Sequence, residues 1–293
     1  VSEMSEDSNN IEASVIPPLP QPRIVDCTTG GDLGPALQAA KEVIAGGHCL
    51  VMPTDTVYGI CADAFDAHAV QRLLTAKHRG RDMPPPVLIS DDGVMSALAR
   101  EVPEAAQRLV AVHWPGPLTI ICKAQPSLRM DLGETRGTIA IRVPDHDLAR
   151  DILRRTGPMA VSSANVSGQP SATNVRDAAD QLGLDVALYL DGGPTPGPVP
   201  STIVDFTVEP EGRVVREGIL TLAVLRETAP GVLGALETEV PAAEPEPTGQ
   251  SVAAEKSVAA ERPVAPADQE PAGTEVPVEE TGPATVDGER DAR

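Results

Sequence analysis

The 293-residue chain carries 43 acidic and 23 basic side chains, for a formal net charge of −20. That balance argues against a general polyanion binder, which needs Lys and Arg to neutralise on the order of 6–10 phosphates. No apolar run approaches the roughly 20 residues of a membrane-spanning helix, and the acidic N-terminus is unlike a secretion signal, so a cytoplasmic, membrane-free protein is expected.

The charge is unevenly placed. Residues 1–22 hold four acids and no base, and they close on Pro17, Pro18, Pro20 and Pro22, which favour an extended, unpaired backbone. From Glu237 to Arg293 fourteen acids face four bases among recurring Pro, Ala, Glu and Val. Too few large apolar side chains occur there to offset the entropy of ordering the chain. The expected organisation is a disordered tail over 1–22, one globular domain over 23–227, and a disordered acidic Pro/Ala-rich tail over 228–293. The four cysteines form no C-x-x-C pair and the five histidines show no zinc-ligand spacing, so reduced thiols are expected.

Taken in order, the folded part alternates helix and strand signals. Asp32 is placed to cap a helix that begins near Pro35 and stops at Gly46-Gly47. Cys49–Met52 reads as a short strand, Ala67–Ala76 as a helix with Val70, Leu73 and Leu74 inward, and Val87–Ile89 as a strand. Helical patterns follow over Val94–Arg100 and Glu104–Val112, and Trp114-Pro115-Gly116-Pro117 is a turn. Strands are expected at Leu118–Cys122, Thr138–Val143, Met159–Ser162, Val186–Leu190, Thr202–Phe206 and Arg213–Val215. Helices fit Leu148–Arg154, Val175–Leu182 and Leu222–Arg226. The fold class is therefore α/β: a single domain with a twisted mixed sheet covered by helices.

Four segments are more polar than a core strand or loop requires. Pro53-Thr54-Asp55-Thr56-Val57-Tyr58-Gly59 follows a buried strand, a common site position in open α/β sheets, although a Ser/Thr turn also explains it. Lys77-His78-Arg79 closes a helix, where two cations either grip phosphates or complement the helix dipole, worth about 0.3–1 kcal/mol. In Thr138-Ile139-Ala140-Ile141-Arg142-Val143, alternation places Thr138, Ala140 and Arg142 on one face and the three large apolar residues on the other. Arg142 there points to a cavity or to a structural salt bridge. Ser162-Ser163-Ala164-Asn165-Val166-Ser167-Gly168, running on to Ser171 and Thr173, suits a phosphate or ribose cradle, or a plain capping loop.

Together and in order, these segments resemble the YrdC family. The resemblance rests on Pro53–Gly59, Lys77-x-Arg79, Pro115-Gly116-Pro117-Leu118-Thr119 and Ile139-Ala140-Ile141-Arg142-Val143-Pro144. It extends through Ser163-Ala164-Asn165 with Ser167-Gly168, Pro200-Ser201-Thr202-Ile203-Val204-Asp205, and Arg216 with Gly218. It implies a sheet with an open concave face and a reaction joining L-threonine, bicarbonate and ATP into threonylcarbamoyl-AMP and pyrophosphate. In that family's terms Lys77, Arg79, Thr138, Ser163, Asn165, Ser171 and Arg216 meet ATP, with Lys77 and Arg79 acting on the phosphates. Thr54, Thr56, Arg142 and Ser201 hold threonine. Mg²⁺ carried with ATP is implied as cofactor, with no protein metal cage, and a protein partner passes the threonylcarbamoyl group to tRNA. Gly80 and Met83 stand where relatives commonly have Pro and Asn or Lys, so no nucleotide contact is assigned to Met83. Longer relatives carry a second globular domain, and the acidic tail here resembles the short form. The chief alternative is a non-catalytic RNA-binding protein using the concave face. A carbamoyl-transfer module is a further alternative, without the zinc-finger and acylphosphatase regions that accompany such modules.

Overall fold

The computed structural model describes residues 21–28 and 30–235. Most of the two expected tails lies outside them. The elements in order are β1 (Ile24–Asp26), α1 (Gly34–Ala45), β2 (Leu50–Met52), β3 (Gly59–Asp63), α2 (Ala67–Ala76) and β4 (Val87–Leu88). Next come α3 (Met95–Leu98), β5 (Ala99–Arg100), α4 (Glu104–His113), β6 (Leu118–Ala124), β7 (Thr138–Arg142) and α5 (Asp147–Thr156). Then follow β8 (Met159–Ser163), α6 (Val175–Leu182), β9 (Leu188–Asp191), β10 (Thr202–Asp205), β11 (Arg213–Arg216) and α7 (Leu222–Thr228).

Local chemistry explains most of these limits. The Asp66 carboxylate accepts the His68 and Ala69 N–H groups and starts α2, and Asn174 does the same for α6 through Asp177 N–H. At α1 the cap position is Leu33, one residue later than expected. Asp32 still binds the first turn, accepting Gly34 N–H at 2.9 Å. The helix expected over Val94–Arg100 is shorter: α3 has four residues, and Ala99 turns extended to pair as β5 with the end of β6. Strands β1 and β3 were not expected. β3 begins with Gly and contains two small residues, and it is made a strand by ladders to β2 on one side and β8 on the other.

The eleven strands among the described residues join in one mixed sheet, ordered β1-β9-β2-β3-β8-β4-β7-β6-β10-β11 with β5 attached to β6. Its two faces are sorted by alternation along each strand. Val51, Ile60, Ala62, Ala160 and Tyr189 enter one apolar cluster with α2, α4 and α6, while Leu50, Met52, Cys61, Met159 and Leu188 enter a second with α1 and α5. The second helical layer covers only the half of the sheet from β9 to β8, because α1 and α5 pack on each other there. On the other half, β6, β7 and β10 turn Leu118, Ile120, Ile139, Ile141 and Val204 into the first cluster. Their opposite side chains, Thr119, Ile121, Ala140 and Ile203, meet a hollow instead of a helix. That uncovered half is the concave face.

The fold also runs past the expected boundary at Glu227. Ala229 and Val232 are fully buried, and Leu233 pairs with Gly212 and Val214 through two 2.9 Å backbone hydrogen bonds. Pro230, Gly231 and Gly234 break the short apolar run Ala229–Leu236, so it carries no helix or strand period that would reveal this. A chain ended after Ala235 keeps these contacts and serves as the reference in urea denaturation. One ended after Glu227 should lose about 2–3 kcal/mol, the scale of a buried valine with its backbone pairing.

Candidate active site

A cavity of about 360 Å³ occupies the concave face. Its walls come from places distant in sequence, among them the loop after β2, the turn after α2, the segment leading into β4, strands β6 and β7, the end of β8, the segment leading into β10, and Arg216 at the end of β11. Nine of the eleven residues singled out in the sequence line it: Thr54, Thr56, Arg79, Thr138, Arg142, Ser163, Ser171, Ser201 and Arg216. Lys77 and Asn165 do not.

Arg142 is the most firmly held. It is buried, and its Nη2 lies 2.5 Å from Asp55 Oδ1. Nη1 donates to Thr56 Oγ1 and Nε to the Gly116 carbonyl, both at 3.0 Å. Three of the five guanidinium N–H groups are so engaged, leaving one on each terminal nitrogen. Thr54 Oγ1 donates to Val57 O at 2.7 Å and lies 3.0 Å from Thr56 Oγ1, which shapes the loop that carries Asp55. The alternation read in 138–143 and the salt-bridge reading of Arg142 therefore both hold, the first setting its face and the second its orientation.

Arg79 reaches the cavity because of how α2 ends. His78 takes a positive φ of 52°. Its N–H goes to Thr75 O and that of Arg79 to Leu74 O, each at 2.9 Å, the paired bonds that reverse the chain at a helix C-terminus. Arg79 Nη1 then donates to Ser162 Oγ at 3.1 Å. Its Nε is buried with no hydrogen-bond partner among the described residues. Arg216 donates from Nη2 to Ser201 O at 2.8 Å, and the Ser201 hydroxyl lies 2.9 Å from Thr119 Oγ1. Burial lowers the pKa of all three arginines, and for Arg216 the charges of Arg142 and Arg79 add to the effect. They stay protonated near neutrality, so three cations converge on one hollow with a single carboxylate, Asp55, among their partners.

The same turn sends Lys77 the other way. It is 2 % exposed, and its ammonium is taken up by the carbonyls of Ser163 at 2.5 Å and Asn165 at 2.6 Å. Ser167 N–H returns a bond to Lys77 O at 2.9 Å. Burial, then the charge of Arg79, lowers its pKa to about 8. Asn165 also works on the backbone, donating from Nδ2 to Val166 O and Gln169 O at 2.9 and 2.7 Å. Lys77 and Asn165, both among the residues expected on the nucleotide, thus brace the Ser163–Gln169 loop from behind. Among residues not singled out, Asp55, Thr119 and Ser162 hold the three arginines or their partners. All three lay inside quoted segments, but nothing in their spacing tied them to Arg142, Ser201 or Arg79. Met83 is 47 % exposed and does not line the cavity.

An α/β sheet with one uncovered, arginine-lined face suits a small anionic ligand. The Sua5, YciO and YrdC family, described as telomere recombination, matches residues 42–218, and the chain belongs to that family. A Mycobacterium leprae protein provisionally described as a threonylcarbamoyl-AMP synthase is 46 % identical over 204 residues, covering 70 % of this chain and 92 % of the relative. The Bacillus subtilis threonylcarbamoyl-AMP synthase is 38 % identical over 174 residues, covering 58 % of this chain and 50 % of its own. The crystal structure of P. abyssi Sua5 complexed with L-threonine superposes with a TM-score of 0.67 at 32 % identity, covering 72 % of this chain and 62 % of that one. Among the described residues no helix is long and apolar enough to cross a membrane.

Proposed function

We propose that this chain is a threonylcarbamoyl-AMP synthase, an enzyme that forms threonylcarbamoyl-AMP and pyrophosphate from L-threonine, bicarbonate and ATP for threonylcarbamoyladenosine (t6A) in tRNA. The observation that carries the proposal is the convergence of Arg79, Arg142 and Arg216 on one hydroxyl-rich cavity. Threonine and a triphosphate both bring anionic groups that such a cavity suits. In this reading Arg142, with the hydroxyls of Thr54, Thr56 and Ser201, takes the threonine carboxylate and side chain through its two remaining N–H groups. Arg79 and Arg216 meet the phosphates, and Thr138, Ser163 and Ser171 line the nucleotide's path. Lys77 and Asn165 act indirectly, by fixing the loop that presents Ser163.

The chemistry needs no protein nucleophile. The threonine amine becomes a carbamate, one carbamate oxygen attacks the α-phosphorus of ATP, and the bond to the bridging oxygen breaks to release pyrophosphate. The chain's own residues would contribute alignment and preorganised positive charge. Carbamate and mixed anhydride both decompose in water, so a walled cavity protects them. No carboxylate lines the cavity among the described residues, so the side chains there do not fit a protein-held magnesium site. Mg²⁺ would arrive as the complex with ATP. A cytoplasmic setting and a protein partner that passes the threonylcarbamoyl group to tRNA belong to the same proposal.

Purified protein mixed with ATP, threonine and bicarbonate should release pyrophosphate, and omission of any one substrate should stop it. RNA binding that survives moderate salt, with no threonine-dependent pyrophosphate, would favour the non-catalytic alternative.

A further inference from the structure

Carbamate formation releases a proton, R–NH₃⁺ + HCO₃⁻ → R–NH–COO⁻ + H₂O + H⁺. Two N–H bonds break, an N–C bond forms, and a bicarbonate C–O bond breaks, its hydroxyl leaving in water with one of the two amine protons while the other is shed. The described residues lining the main cavity include no His, Asp, Glu, Lys or Cys, and arginine does not give up its proton in proteins. Tyr58 also lines it, but its hydroxyl donates to the Gly193 carbonyl and burial raises its pKa, so no side chain of that lining is a ready proton acceptor.

A second cavity, of about 550 Å³, opens beyond the Thr54–Asp55 turn, and Thr54 lines both. Asp55, Asp145 and His146 line the second one. Two buried atoms of these side chains, Asp55 Oδ2 and His146 Nδ1, have no hydrogen-bond partner among the described residues. The other carboxylate oxygen of Asp55 is held by Arg142. Asp55 thus ties the wall of the main cavity to the second one.

We propose that Asp55 and His146 form a proton outlet for the reaction, in which His146 takes up the proton shed by the threonine amine and releases it to solvent through the second cavity. The inference rests on the activity proposed above and assigns a role to a histidine that touches no substrate. His146 precedes α5, but its side chain makes no capping bond, so the imidazole is not committed to the helix. Its Cε1 approaches Gly192, where an added Cβ would lie 3.6 Å away. Burial lowers its pKa, and Asp55, Asp147 and Asp145 oppose the shift only in part. Arg142 lies behind Asp55. Asp191, beside Gly192, already accepts Gly193 N–H at 2.9 Å. A lowered pKa leaves the ring neutral near pH 7 and free to accept.

His146→Asn keeps a residue favoured at a helix N-cap. At pH 7 it should slow threonine-dependent pyrophosphate release by about 100-fold, the lower range for a lost proton acceptor, with the KM for threonine unchanged. The deficit should shrink toward pH 9, where solvent replaces the ring, and added imidazole should restore part of the rate. The unmutated rate should fall as pH falls through the His146 midpoint, because a protonated ring accepts nothing. Proton NMR of the full chain should place that midpoint below the ordinary value of about 6.5, a result independent of how the variant folds. A wild-type rate in the variant, a loss that neither imidazole nor high pH relieves, or a midpoint above that value overturns the outlet. An unmutated chain that releases no pyrophosphate overturns the outlet and the activity together.

Discussion

Arg142→Ala is expected to lose threonine affinity by at least about 100-fold, the factor that corresponds to roughly 3 kcal/mol. The same change removes the partner of a carboxylate only 12 % exposed, so stability should drop by about 3–5 kcal/mol in urea denaturation. The two losses have different causes and can be separated. Arg142→Met combined with Asp55→Leu removes both charges at once, and replacing a buried pair with apolar groups is close to neutral for stability. The double variant should regain most of the stability and none of the threonine binding. If threonine binding returned with stability, Arg142 would serve only the fold. Isothermal titration with threonine alongside the urea curves decides the matter.

Arg79→Ala should behave differently. Among the described residues its side chain makes one hydrogen bond, at 3.1 Å to the Ser162 hydroxyl, so the fold is expected to lose little when it goes. The expected result is a fall of about 100-fold in kcat/KM for ATP, from loss of a charge-assisted contact worth roughly 3 kcal/mol, while threonine affinity stays within about twofold. Arg79→Lys should recover only part, because a point charge replaces a fork. Equal losses for ATP and threonine would end the division of labour between the two arginines. Measuring KM for each substrate at saturating levels of the other distinguishes the outcomes.

Much of this protein was legible because its local signals agree with its global arrangement. The apolar face of α2 and the alternation along β7 are periodic patterns that the chain imposes on any sheet it joins. They put Arg142 on the polar face of β7, and the seven short segments that resemble the family hold most of the residues lining the cavity. Three things needed the tertiary structure. Strands β1 and β3 are short or glycine-led, and only pairing with β9, β2 and β8 makes them strands. The open face exists because α1 and α5 cover half of one side of the sheet, a matter of strand order that no local pattern encodes. Lys77 and Arg79, two residues apart, part at the turn on His78, and the carbonyls that capture Lys77 lie 86 and 88 residues along the chain. Side-chain chemistry is written locally. Which cation lines the cavity and which is buried is settled by the packing of distant segments, since an ammonium takes whatever oxygens the fold brings within reach.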